Sequence, residues 1–253
     1  MPLYYGNSKV KNLYLGSTKI KEAYLGSTLV YRASQYAPGQ VVFEKSSPGT
    51  FTLNLLEDGI YEVTCVAGGA SGVARLDNTD MIQIAGGASG SAFKAQVRMY
   101  KRSYSIVVGA GGTTTAKNGT FKYPPLSDYP MTYTVKGYTG SAGGVSSISS
   151  IVYCRAQAAT GHNGMNTYYK NDGAPIVYTS PISTIINKAG NNASYSEATI
   201  SIPSKSGAVS AYNNSASGAG AGGSASGTTN NFVITMTVTK GKNGYVKIVY
   251  LGS

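Results

Sequence analysis

Residues 85–112 read AGGASGSAFKAQVRMYKRSYSIVVGAGG, and they set the pattern for most of the chain. A six-residue tract of Ala, Gly and Ser comes first. Two β-prone runs follow, SAFKAQVRMY and SYSIVV, and then a second small-residue tract. The same grammar appears upstream, where IYEVTCV leads to an identical AGGASG at 67–72. Downstream, GSAGGVSSI spans 140–148, SGAGAGGSASG spans 217–227, and the chain closes with FVITMTVTKGKNGYVKIVYLGS, which reads as two strands around a GKNG turn. Alternating runs such as FVITMTV and YVKIVYL mark strands with one buried face. No eleven-residue window carries a helical stripe. The expected fold class is therefore all-β, with short β-hairpin repeats at the N-terminus and a glycine-rich β domain after them.

The glycine tracts admit several readings. Phosphate-cradling loops require GxGxxG or GxxxxGK[ST] between a strand and a helix, and no helix follows GAGGTTT or AGGASG. Collagen requires glycine at every third position, and that period is absent. What remains is a set of extended small-residue segments packed side by side. Without Cβ atoms the backbones approach closely and bond through main-chain groups. Such a stack leaves loops at its distal end, free to vary.

The N-terminus stutters. YYGNSKVKNL, YLGSTKIKEA and YLGSTLVYRA share Tyr-x-Gly-x-Ser/Thr-x-Val/Ile over residues 4–33. Glycine first in a two-residue loop suits a type II′ hairpin turn, so each decad reads as a hairpin. One such unit is too small to stand alone. The tetrapeptide YLGS also ends the chain, so the last strand is either a partner for the repeats or a chance likeness. Pro38-Gly39 and Pro48-Gly49 are turn signals. The organisation expected is a repeat module at 1–33, a turn-rich connector at 34–49, and a glycine-rich domain at 50–253.

Composition narrows the function. The 253 residues include 33 glycines and 21 tyrosines, no tryptophan, and only 12% charged residues. So much glycine loses a great deal of backbone freedom on ordering. A packed trimer or a closely stacked sheet is expected to hold it. Net charge is +11, read either as a solvated basic surface or as long-range attraction to a polyanion such as a bacterial cell-wall polymer or lipopolysaccharide. No nucleic-acid motif is present and nucleic acid is not an expected partner. No secretory leader and no apolar run of ~18 residues is seen, so membrane insertion is not expected. Cys65 and Cys154 each end an apolar strand and are expected buried and reduced, with a mutual disulfide as the alternative.

Catalytic chemistry is hard to place. Asp58, Asp77, Asp80, Asp128 and Asp172 show no spacing that pairs two carboxylates across a scissile bond. Glu57-Asp58-Gly59 reads as a turn, and Asp77 with Asp80 as a solvated loop. No GxSxG elbow occurs. His162, the only histidine, sits in the turn-like TGHNG. No ligand spacing for a metal exists, and no cofactor is expected.

The runs GTFTLNLLEDGIYEVTCVAGGASG, GGASGSAFKAQVRMYKRSYSIVVGAGG and GKNGYVKIVYLG resemble the glycine-rich domain of phage and prophage tail fibres. The likeness covers residues 49–252 in scattered blocks. The YLGSTKI repeats resemble N-terminal segments of phage tail proteins. The resemblance implies a non-catalytic virion appendage, made in a host cytoplasm without a signal peptide, and usually a homotrimer. Its partners would be other tail or baseplate proteins and a host surface polymer or protein. The alternative is a purely structural virion component that binds only other virion proteins. Residues 113–139 and 162–200 depart from the pattern and are rich in tyrosine. They are expected as surface loops. Receptor-contact candidates there are Tyr123, Tyr129, Tyr133, Tyr138, Tyr168 and Tyr169, because tyrosine offers an apolar face with a hydroxyl. The alternative places them in strands or in a trimer core.

Overall fold

The structure, a computed structural model, describes every residue except 1–3, 6–7, 11–12, 77–80, 124–130, 157–159, 163–164, 168–172 and 253. The described residues are all-β and contain no helix. They form a β-sandwich nearest the N-terminal repeats, a glycine layer beyond it, and a further strand group beyond that.

The near sandwich holds two antiparallel sheets. One has the order Ser183–Lys188, Ala92–Met99, Gly59–Val66, Tyr245–Gly252, Val41–Lys45. The other runs Ile176–Val177, Val152–Cys154, Ser146–Ile148, Ser103–Val108, Gly49–Asn54. Alternate residues of these strands point inward, as their sequence period requires. Tyr61, Val63, Phe93, Val97, Tyr104, Ile106, Val246, Ile248 and Tyr250 fill the space between the sheets. Tyr250 meets Tyr61 edge-on with ring centroids 5.2 Å apart. The last YLGS therefore does not pair with the repeats: Tyr250 and Gly252 are registered against Tyr61 and Ile60. The connector at 34–49 is also more than turns, since Val41–Lys45 forms the edge of the first sheet.

The strands of this sandwich run on into the glycine layer. Gly59–Val66 continues as 67–72 and emerges as Val73–Leu76 beyond. Ile82–Ala85 returns through 86–91 to Ala92–Met99. Segments 109–113, 141–145, 189–194, 203–209, 220–224 and 239–244 cross in the same alternating fashion.

The hydrogen bonds of the central segment repeat every three residues. Ala67 and Ala70 donate to Ser91 and Ala88 at 3.0 and 2.9 Å. Gly68 and Ser71 donate to Gly144 and Ser141 at 2.8 and 3.2 Å. Gly69 and Gly72 donate to Lys242 and Thr239 at 2.9 and 3.1 Å. Three directions and a return after three residues are the signature of a polyproline II turn, which has no internal hydrogen bonds and turns in about three residues. Here each N–H is satisfied by a neighbouring segment running the opposite way. The neighbours obey the same rule: Gly87 and Gly90 donate to Gly223 and Gly220, and Gly86 and Ser89 to Ser194 and Asn191.

Glycine is required where a Cα faces a neighbour's carbonyl. A Cβ on Gly69 would lie 2.2 Å from Ala221 O, and one on Gly72 would lie 2.2 Å from Ser224 O. The tracts are buried by one chain alone: Ala67, Ala70, Ala88, Ser71, Ser89 and Ser91 are all nearly inaccessible. Of the two arrangements expected to hold the glycine, close stacking of segments within one chain is the one seen. The segments hold one another.

Beyond the layer lies a second strand group. Its path is Tyr195–Ala198, Ile82–Ala85, Val73–Leu76, Met131–Gly140, Val233–Val238, Ala225–Asn230, with Thr114–Tyr123 paired to Met131–Gly140. It encloses its own core of Ile82, Ile84, Phe121, Tyr133, Val135, Ile234 and Met236. Two expectations are corrected here. Much of residues 113–139 is not loop but a regular ten-residue strand pair, registered from Thr114↔Gly140 to Tyr123↔Met131. Within 162–200, Ser183–Lys188 and Tyr195–Ala198 are strands of the two groups. The GKNG stretch is not a hairpin turn either. The strands flanking it belong to different sheets, and 239–244 is a crossing of the glycine layer.

The N-terminal repeats fold as hairpins, Leu13–Leu15 with Thr18–Ile20 and Glu22–Leu25 with Thr28–Arg32. Gly16 and Gly26 take φ of +63° and +61°, and the serines after them do not enter the left-handed region. That is the type II′ turn the sequence calls for.

Gly69→Ala should cost about 3 kcal/mol, because its methyl collides with rigid backbone. Gly39→Ala meets open space at φ +85° and should cost only about 1 kcal/mol. Urea unfolding of the two variants checks the difference.

Candidate functional site at the far turns

The alternating crossings place several connections at one end of the molecule. There the chain turns at a tip between Ala225–Asn230 and Val233–Val238. The parallel register Thr134↔Val233 sets this tip beside the strand end at Met131.

The tip is Asn231-Phe232. Both residues have positive φ, +44° and +62°, and they span the pair Asn230↔Val233. This is a type I′ turn, whose second position favours glycine. A bulky residue in that region is a genuine outlier and costs about 1–2 kcal/mol. Neighbouring groups hold it there. The Phe232 carbonyl accepts from Thr134 N at 2.9 Å, and its ring stands edge-on to Tyr133 at 5.4 Å. Tyr133 in turn stacks on Phe121 at 5.4 Å, with 23° between the planes. The chain of rings thus runs from the buried core outward, and Phe232 ends it 46% exposed. Met131, opposite Tyr123 at the adjoining strand end, is 52% exposed.

The candidate tyrosines divide. Tyr133 is buried, and Tyr123 and Tyr138 are half-buried against the same apolar cluster. All three belong to the strand pair, and of them Tyr133 carries the contact with Phe232. Tyr129, Tyr168 and Tyr169 lie outside the described residues. Sequence reading passed over Phe232 and Met131. The available signal was Asn231 between two strand-length runs, but the residue after it argued against a tight turn.

Other ionisable groups serve the scaffold. Glu57 accepts from Ser34 Oγ, Gln35 N and Tyr36 N, and Asp58 accepts from Lys101 N at 2.6 Å. These carboxylates fix the junction between repeats and sandwich, beside a cleft shared with Glu22 and Gln35. Cys65 and Cys154 are buried and not joined by a disulfide. Cys154 Sγ donates to Cys65 O at 3.1 Å, and burial pushes its thiol well above the ordinary range. His162 ends the short strand Thr160–His162, opposite Met165. Among the described residues no group of three or more His, Cys, Asp or Glu is placed to hold a metal, and no helix is long and apolar enough to cross a membrane.

No family model matches this chain, and no curated protein matches it. The far tip therefore has to be read from its own geometry. It offers an apolar, pre-positioned ring at the end of a rigid stack and no catalytic constellation among the described residues.

The strain at the turn is open to measurement. Phe232→Gly relieves the left-handed cost, whereas Phe232→Ala keeps it and loses the same ring. The glycine variant should be the more stable by about 1 kcal/mol in urea unfolding. An alanine variant of equal or greater stability would show the turn to be unstrained.

Proposed function

We propose that this chain is a non-catalytic attachment protein of a phage tail, which contacts the host surface through its far turns. The observation that carries the reading is Phe232, an exposed aromatic ring kept in a costly backbone conformation at the tip of a self-supporting scaffold. Strained residues concentrate at functional positions, where the surroundings over-determine them. Aromatic anchors in rigid surroundings dominate binding interfaces. The resemblance of the glycine-rich runs to tail-fibre domains points the same way.

The repeats supply the other half of the reading. Tyr14 and Tyr24 are each 55% exposed, and Leu15 and Leu25 each 76%. The same apolar pair is thus presented by successive hairpins that have little core of their own. A homotrimer joined through these hairpins would cover them and would multiply weak tip contacts into avidity. Tail or baseplate proteins would meet the assembly at that end.

Labelled full-length protein, incubated with a panel of intact bacteria of both envelope types, should bind a subset saturably and block phage adsorption to it. Phe232→Gly should weaken that binding at least about tenfold with its fold intact. Binding to no cell type would favour the purely structural virion component instead. Separately, Leu15→Ser with Leu25→Ser should shift the mass measured by light scattering from three copies to one. The urea midpoint of the glycine-rich body should stay unchanged. A single copy in the unaltered protein would dispose of the trimer.

A further inference from the structure

The strand group beyond the glycine layer has an outward face with its own composition. In Thr114–Tyr123 and Met131–Gly140 the inward positions include Phe121, Tyr133 and Val135. The alternate positions Asn118, Thr120 and Lys122 on one strand face Lys136, Thr134 and Thr132 on the other, and all of these are exposed. Thr228, Thr235 and Thr237 continue the rows on the next two strands, and they are exposed too. The face is therefore a grid of hydroxyls with an amide and two ammonium groups.

Among the described residues its charge is one-sided. Six carboxylates lie among the described residues, at Glu22, Glu44, Glu57, Asp58, Glu62 and Glu197. Glu62 pairs with Lys94 at 3.0 Å and Glu44 with Lys247 at 3.5 Å, both in the near sandwich. Glu57 and Asp58 hold the junction with the repeats. Glu197 is the one described carboxylate of the far group, and it sits on Tyr195–Ala198, at the opposite end of the strand order from Ala225–Asn230. Lys122 and Lys136 have no ion-pair partner among the described residues. Their positions are four residues apart along the strands, or about 13 Å. Isolated cations among hydroxyls complement spaced anions along a polar chain. Duplex nucleic acid would call for guanidinium forks or an element that enters a groove, and this face has neither.

We infer that this face binds a phosphate-bearing, hydroxyl-rich polymer of the bacterial surface. The inference rests on the attachment reading and names the class of receptor. The ammonium groups meet successive phosphates, and the threonine and asparagine side chains hydrogen-bond the polyol or sugar hydroxyls between them. Phe232 and Met131 lie at the same end of the strand group but on the Tyr133 side of it, so the contacts assigned here are those of the threonine, asparagine and lysine rows alone.

The test uses full-length protein and calorimetric titration with poly(glycerol phosphate), with neutral dextran of equal length and with duplex DNA. Poly(glycerol phosphate) should bind, and the affinity should fall as salt is raised through the range that screens exposed charge. Dextran should not bind, and DNA should bind at least about tenfold more weakly. Lys122→Glu with Lys136→Glu should lower polymer affinity about tenfold or more, while Lys122→Arg with Lys136→Arg retains it. Both pairs are exposed, so far-ultraviolet circular dichroism should show the unaltered β signal. Equal binding of DNA, or indifference to the charge reversal, would overturn the inference. Cell binding without polymer binding would also overturn it while leaving attachment standing. Polymer binding without binding to any cell would sink the attachment reading instead.

Discussion

A peptide group removed from water must find a hydrogen-bond partner, and the glycine layer meets that demand mostly with main chain, helped by short side chains such as Ser146, Ser71 and Asn243. The central crossing, 67–72, turns in steps of three residues and so directs its N–H groups toward three neighbours. A β-sheet offers two neighbours in a plane, whereas these segments bond in several directions and pack as a bundle. Such density is possible only because the facing atoms are Cα rather than Cβ. The cost is glycine's backbone entropy, which the many mutual bonds and the two flanking apolar cores offset. The pairing of these described crossings is intramolecular.

This arrangement separates duties along the molecule. The near sandwich carries the larger apolar cluster, with Tyr61, Tyr104, Phe93 and Tyr250 wholly buried. The far strand group carries a smaller cluster around Ile84, Tyr133 and Ile234. Between them the glycine crossings fix the direction and spacing of every strand that emerges. A turn such as Asn231-Phe232 can then hold a strained conformation, because the strands beneath it are set by bonds it does not make. The outward threonine and lysine rows belong to that same fixed group, so their spacing is as rigid as the strands themselves.

Part of this was legible in the residues. The two copies of AGGASG, at 67–72 and 85–90, gave the packed extended segments, since no other structure class accounts for repeated small-residue tracts between strands. Gly16 and Gly26, each followed by serine, gave the hairpin turns. The three-residue period was not legible. In collagen every chain meets one common axis and needs glycine at every third place. Here each segment has its own set of neighbours, so Ala67 and Ala70 keep their methyl groups while Gly69 and Gly72 cannot gain one. For the same reason GKNG looked like a turn: Gly241 and Gly244 are glycine because Gly69 O and Val66 O lie 2.0 and 2.4 Å from where their Cβ atoms would be. Of the site, the tyrosines drew the eye by composition, yet Tyr133 serves as the buried support for Phe232.

The sequence by itself determined the strand class, the alternation of buried and exposed faces, and the hairpin turns. These are local properties, fixed by residue shape and by periods of two. Which crossing neighbours which, where the turns gather, and which aromatic ring reaches solvent were decided only by the tertiary structure. They depend on hydrogen bonds between segments as distant in the chain as Gly69 and Lys242. No local pattern records such a pairing, because a backbone N–H carries no mark of the carbonyl it will meet.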